Sequence, residues 1–435
     1  MDKKMLKFVG RGLLLAATLT GTVAEAVEPT EYQLGDAGTI APHLRFEFGN
    51  DNNPLRADEG SQEAAFLRLQ PSVSYLAQRR NNQLTIGYEG DFYEYFQDFC
   101  PGEVGVSRPG DCLPGSTDID TASYQDHAVR LNGFLEVTSR VRARLRLSNT
   151  IQHQPLGTGL STNRDVLDEL TSPDDWRRTR ASAELSYGAS QARGELRGGL
   201  RFIDQELRTE RDVNLDAQSD TTVEPYAQLF YRVGTRTQLF TGISQARVRD
   251  GISFTDGGQV IQNLERDITR LSFGAELADS SVTSGSVSVI AVSEDFLASG
   301  RQENFFAWDI NLIWRPLTFS TVTINGGRET ETGVFDDDIS LTTNLGVNWV
   351  HFWRERFSSR VQFDYTINDD LDESLTADEI EEEEDTIITF RVEGNYNIRR
   401  WLDIGGFLRI DTRDGNTDDR DFERTVIGIT ANGSI

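Results

Sequence analysis

Residues 141–150 read VRARLRLSNT, with Val141, Ala143, Leu145 and Leu147 on one face of an extended chain and Arg142, Arg144 and Arg146 on the other. One apolar and one densely cationic face fit an amphipathic strand over a soluble core. They equally fit a strand with lipid on one side and water on the other. The rest of the chain decides between these.

The same alternation recurs along the sequence: Leu44/Phe46/Phe48, Ala65/Leu67/Leu69, Leu84/Ile86/Tyr88, Val129/Leu131/Leu135, Ala181/Ala183/Leu185 and so on to Ile427/Ile429/Ala431. About eighteen such segments are present, within a range of about 16–18. Short links (QRRNN at 78–82, TSR at 138–140, GASQ at 188–191, VGTR at 233–236, RPL at 315–317) alternate with long polar ones (97–121, 153–175, 204–221, 249–265, 369–385). A sandwich has no reason to keep that parity, whereas a transmembrane antiparallel β-barrel has short periplasmic turns, long extracellular loops and an even strand number. Tyr75, Tyr187, Tyr231, Trp314, Trp349 and Tyr396 all fall on the apolar phase shortly before a short turn, the place of a periplasmic aromatic girdle. The fold class is therefore all-β, an outer-membrane barrel in which the faces of residues 141–150 meet lipid and an aqueous lumen.

Composition agrees with this. Hydrophobic residues make up 37% of the chain and no apolar run after the leader reaches the length of a spanning helix. The leader MDKKMLKFVGRG, the apolar run Leu13–Val23 and the small-x-small Ala24-Glu25-Ala26 describe a cleaved signal peptide over 1–26. A periplasmic segment follows at 27–38, and the barrel occupies 39–435, with Ile435 in phase with the last strand. Lys3, Lys4 and Lys7, the only lysines, lie in the leader, so arginine is the strong base of the mature chain. A formal net charge of −27 argues against nucleic acid as a partner, which needs a positive footprint. Cys100 and Cys112, in FCPGEVGVSRPGDC, are expected to form a local disulfide after export, with free thiols as the alternative.

On this phase Arg130, Arg142, Arg144, Arg146, Arg178, Arg180, Arg193, Arg197, Arg201 and Arg232 point inward, against Glu136, Glu184, Glu195 and Glu224. The later wall, with Arg270, Arg315, Arg360, Arg391 and Arg409 against Glu276, Asp309, Asp364, Glu393, Asp403 and Asp411, is close to balance. A row of arginines can pass an anionic chain from one planar fork to the next. The alternative is a self-satisfied network that braces the barrel.

The layout of leader, Gly- and Arg-rich alternating strands and a strand ending the chain resembles the β-barrel porin 2 group found with bacterial exopolysaccharide and capsule export systems. The resemblance covers nearly the whole mature chain. It implies a passive conduit for a polysaccharide, one of acidic sugars where arginines line the lumen as in alginate exporters, with periplasmic export components as partners. Ile435 departs from the terminal aromatic common in such barrels. Within channels the alternative is a general diffusion porin for small anions; outside them, a plugged structural or adhesin barrel.

His43, His127, His153 and His351 are scattered, and no G-x-S-x-G, H-E-x-x-H or metal-spaced Cys/His cluster occurs, so no enzyme, metal or cofactor is expected. A serine–histidine pair from neighbouring strands is the competing enzymatic reading. His127 and His351 fall on the apolar phase near strand ends, as interfacial side chains do. The segment DDLDESLTADEIEEEED (369–385) reads as a solvated charge run; binding of divalent cations beside lipopolysaccharide phosphates is its alternative.

Overall fold

The computed structural model describes residues 32–34, 38–57, 63–96, 122–156, 173–189, 192–208, 219–250, 254–256, 259–262, 265–277, 282–297, 300–332, 339–370, 384–415 and 421–434. The leader, Cys100, Cys112, Ile435 and most of the acidic run lie outside them.

The chain forms a closed antiparallel barrel of 18 strands. A short β1 (Tyr32–Leu34) precedes the barrel strands β2 (Gly38–Asp51), β3 (Ala64–Arg79), β4 (Asn82–Tyr95), β5 (Tyr124–Glu136), β6 (Val141–His153), β7 (Asp175–Tyr187), β8 (Gly194–Arg208), β9 (Asp220–Arg232) and β10 (Thr237–Asp250). A hairpin of β11 (Phe254–Asp256) and β12 (Gln259–Gln262) stands apart from the wall. The barrel continues through β13 (Arg266–Leu277), β14 (Thr283–Phe296), β15 (Gln302–Leu317), β16 (Ser320–Thr332), β17 (Ile339–Arg354), β18 (Phe357–Asp370), β19 (Glu384–Arg399), β20 (Leu402–Gly415) and β21 (Phe422–Gly433). Each pairs with its predecessor, and β21 returns to β2, with Gly433 opposite Leu44 and Val426 opposite Asp51. Closure leaves no lateral edge in the wall. Each of the eighteen alternating segments becomes one wall strand.

The phase is also visible in exposure. Leu145 and Leu147 are 54% and 47% exposed, whereas inward Arg197 and Glu195 are 5% and 8% exposed. A soluble fold would bury the leucines. Here the exposed apolar face runs around the barrel, through Leu185, Leu229, Phe273, Val289, Phe306 and Ile429, and needs lipid to cover it.

Link parity holds for most links, but 297–301, 333–338 and 416–421 at the long-link end are no longer than 188–193 at the other. One end carries two-residue links such as 80–81 and 355–356, and the other carries 96–123 and 154–174. On the long side, however, β14 and β15 are joined by 297–301 alone. Gly300, at φ 69°, lets this link close tightly: its N–H donates to Phe296 O (2.9 Å), and Phe296 N–H to Arg301 O (2.9 Å).

The six predicted aromatics all sit on the outer face at the short-link end, Tyr187 opposite Val141 and Trp314 opposite Val322. Trp349 Nε1 donates to Ser320 Oγ at 2.9 Å. Trp353 and Trp401, both exposed, extend this ring beyond the predicted set. His351 packs between Trp349 and Trp353 in the same belt. At this end β1 pairs with β2 at Gly38–Ile40, along the line β21 would follow if it continued past Gly433.

Candidate functional site in the barrel lumen

The inward arginines of β5 to β9 do not stand as a free row. Arg130 meets Glu89 (2.5 Å), Arg142 meets Glu195 (2.8 Å), and Arg144 meets Glu184 (2.6 Å). Arg197 lies between Glu195 (2.5 Å) and Glu276 (3.3 Å), and its guanidinium covers the Phe230 ring at 3.8 Å. Arg201 meets Glu224 (2.8 Å) and lies over the Tyr226 ring at 4.3 Å. One of these partners, Glu89 on β4, lies outside the segments whose charge the sequence compares, and another, Glu276 on β13, is counted there with the opposite, later wall. Arg146 lies in the electrostatic neighbourhood of Glu184, Arg144 and Arg201. Arg232 sits at the end of β9, and Arg193 is an exposed turn residue just before β8 rather than a wall position.

Beside this wall a cavity opens along β8 to β10 and β13 to β16. Ser244, Ser272, Ser286 and Ser288 supply hydroxyls to its lining. Arg201 and Arg270, which share Glu224 (2.8 and 3.5 Å), supply charge, and Tyr226 supplies an aromatic face whose hydroxyl donates to Glu184 at 2.9 Å. Asp309 and Glu329 lie on its β15–β16 side. The serines face inward because they alternate with Leu271, Phe273, Val287 and Val289, which take the lipid side.

A second cavity lies at the long-loop end between β2–β6 and β19–β21. Stacked rings line it: Phe66 and Tyr93 (4.8 Å), Tyr93 and Tyr124 (5.1 Å), Tyr124 and His153 (3.4 Å). Leu55 and Leu156, from the links after β2 and β6, pack against the same cluster. Three of its cations are matched, Arg68 with Asp91 (2.5 Å), Arg409 with Asp411 (2.8 Å) and Arg424 with Asp51 (2.6 Å), while Arg56 donates to Leu156 O at 3.5 Å and lies over the Phe422 ring at 5.8 Å. His153 Nδ1 is 2.9 Å from Asp126.

The densest network ties the closing strands together. Glu47 on β2, 2% exposed, receives Arg391 (2.5 Å), Arg45 (2.7 Å) and Arg68 (3.3 Å). Glu393 on β19 receives Arg45 (2.8 Å), Arg391 (3.2 Å) and the Asn395 amide (2.8 Å). These side chains reach between β2 and β19, with β20 and β21 between them. The intervening inward positions include Gly405 and Gly428. A Cβ at Gly428 would lie 2.6 Å from Phe48 O, so only glycine permits this approach. Glu47 and Arg45 escape a wall-by-wall count of charges, because their partners on β19, Arg391 and Glu393, are 344 and 348 positions away in sequence.

A family model described as Putative beta-barrel porin 2 matches residues 28–433. Solved structures similar to this chain include the siderophore receptor PirA from Acinetobacter baumannii, at 8% identity and TM-score 0.43, covering 93% of this chain and 81% of that one. They also include a BenF-like porin from Pseudomonas fluorescens Pf-5 (9%, TM-score 0.41, 92% and 99%) and the outer membrane protein opdK from Pseudomonas aeruginosa (11%, TM-score 0.42, 92% and 100%). A comparison with curated proteins finds no match.

Proposed function

We propose, for a chain that belongs to the Putative beta-barrel porin 2 family, that it is a passive outer-membrane channel whose solute is an anionic saccharide, in the setting of exopolysaccharide or capsule export. The observation that carries this reading is the luminal cavity beside β8 to β10 and β13 to β16. Serine hydroxyls match sugar hydroxyls, the Tyr226 ring offers a stacking face, and Arg201 and Arg270 complement a carboxylate. Many weak contacts of this kind hold a polymer without trapping it. Lipid and lipopolysaccharide surround the outer face in this reading, and periplasmic export components deliver the polymer to the short-turn end. No chemistry on the solute is involved.

The ion pairs Arg142–Glu195 and Arg144–Glu184 favour a second reading, a braced barrel with a structural or adhesive role. Reversal potential in planar bilayers under a salt gradient separates the two. The native protein is expected to prefer anions, and a variant with Gln at Arg142, Arg144 and Arg146 is expected to shift toward cations. An unchanged reversal potential with a lower melting temperature assigns these arginines to bracing instead.

A further inference from the structure

Among the lumen arginines, Arg180 is different. Its Nε and Nη2 are both sheltered from solvent and make no hydrogen bond to any described residue, the only arginine among the described residues with two such nitrogens. These two nitrogens form the side-on edge of the guanidinium fork, the edge that takes both oxygens of a carboxylate at once. Arginines lie one inward step away on both adjoining strands. On β7, Ser182 stands in register between Arg146 on β6 and Arg201 on β8. Arg180 is the next inward residue along β7, flanked by Ser148 and Ile203, neither of which is an acid. The carboxylate whose charge reaches it is Glu329 on β16, with six wall strands between β7 and β16 on the shorter way round. Arg201, which is opposite Ser182 and so one inward step from Arg180, lines the serine-rich cavity, as does Glu329, and this register sets Arg180 at the edge of that cavity.

We propose that Arg180 is the carboxylate-docking residue of the channel: its fork takes the carboxylate of an acidic sugar while the sugar ring lies in the serine-lined cavity beside Arg201 and Tyr226. This rests on the saccharide-channel reading and narrows it from a row of arginines to one. Sheltered donors without partners are costly, so the long side chain gains by turning its fork toward an arriving carboxylate. Glu329 then acts as the competing charge that lets the solute leave. The paired arginines, such as Arg142, hold shape and field.

The test is blockade of ion current through the full-length protein in planar bilayers, with a galacturonate trimer as the probe and a neutral galactose trimer as its control. The galacturonate trimer is expected to block the native channel. Arg180→Gln is expected to raise the half-blocking concentration about tenfold or more, and Arg180→Lys, which keeps the charge but lacks the fork, also raises it. Arg247→Gln, on the outer face of β10 and paired there with Asp267, is the control and is expected to change it less than about twofold. Glu329→Gln is expected to lower it, and gives a second reading should Arg180→Gln fail to insert. Half-blocking concentrations within about twofold of native in both Arg180 variants, or no change in Glu329→Gln, overturn the docking role and leave the saccharide channel standing. A native channel that galacturonate does not block overturns both. A block by the neutral trimer that Arg180→Gln weakens equally also overturns the carboxylate assignment.

Discussion

Replacing Glu47 by Gln is expected to destabilise the barrel by about 3–5 kcal/mol, the range for removing one member of a buried ion pair. Glu47 is 2% exposed and holds Arg45, Arg68 and Arg391 within 3.3 Å. The isosteric amide fills the same space but leaves those cations with Glu393 and Asp91 alone. The loss is therefore one of charge balance rather than of volume. Glu89→Gln is the control: its partner Arg130 and Glu89 itself are both more than a third exposed, so the change is expected to cost no more than about 1 kcal/mol. Denaturant titration of refolding into lipid vesicles measures both. Equal small effects would mean that water reaches Glu47 and that the seam is not held by charge.

Leu145→Arg is expected to cost about 2–4 kcal/mol if its position is near the bilayer midplane. It lies midway along β6, opposite Gly133 and Ala183, and 54% exposed on the outer face. An inward arginine is the proper comparison, and its neighbours matter. Ser148 stands between Arg130 and Arg180, where a further arginine would meet like charge on both sides. Ser72, opposite His43 and Glu89, offers a compatible place, so Ser72→Arg is expected to stay within about 1 kcal/mol of native. The same vesicle titration reads the pair. Similar losses at both positions would overturn the assignment of faces.

The wall was legible because its code is local. Period-two alternation is written within each strand, so the register of residues 141–147 and the outward place of Tyr187 or Trp314 follow from a few neighbours. Link lengths supplied the parity of the ends, and the short link 297–301 between β14 and β15 closes with Gly300 at positive φ. Partnership inside the lumen is not local. Nothing near Arg45 announces Glu393, and nothing near Arg197 announces Glu276, because barrel closure and curvature bring them together. Counting charges along one wall therefore made β5 to β9 look more cationic than their surroundings are. Arg193 illustrates another limit: alternation carried one step past the strand start places a turn residue in the wall. Trp401 lies in the short link 400–401, outside the segments in which alternation can be counted, and Trp353 lies near the end of β17, past the last aromatic taken from its alternation.

The bonds across the closing seam also bear on time. Arg45 reaches Glu393 across 348 positions of sequence, Arg391 reaches Glu47 across 344, and Arg424 reaches Asp51 across 373. None can form until the last three strands have arrived beside the first, so they cannot help the early strands to assemble. Interactions made after the rate-limiting step leave the folding rate nearly untouched and slow its reverse. The seam is thus expected to act as a latch on lifetime, with Glu47→Gln speeding unfolding far more than it slows refolding.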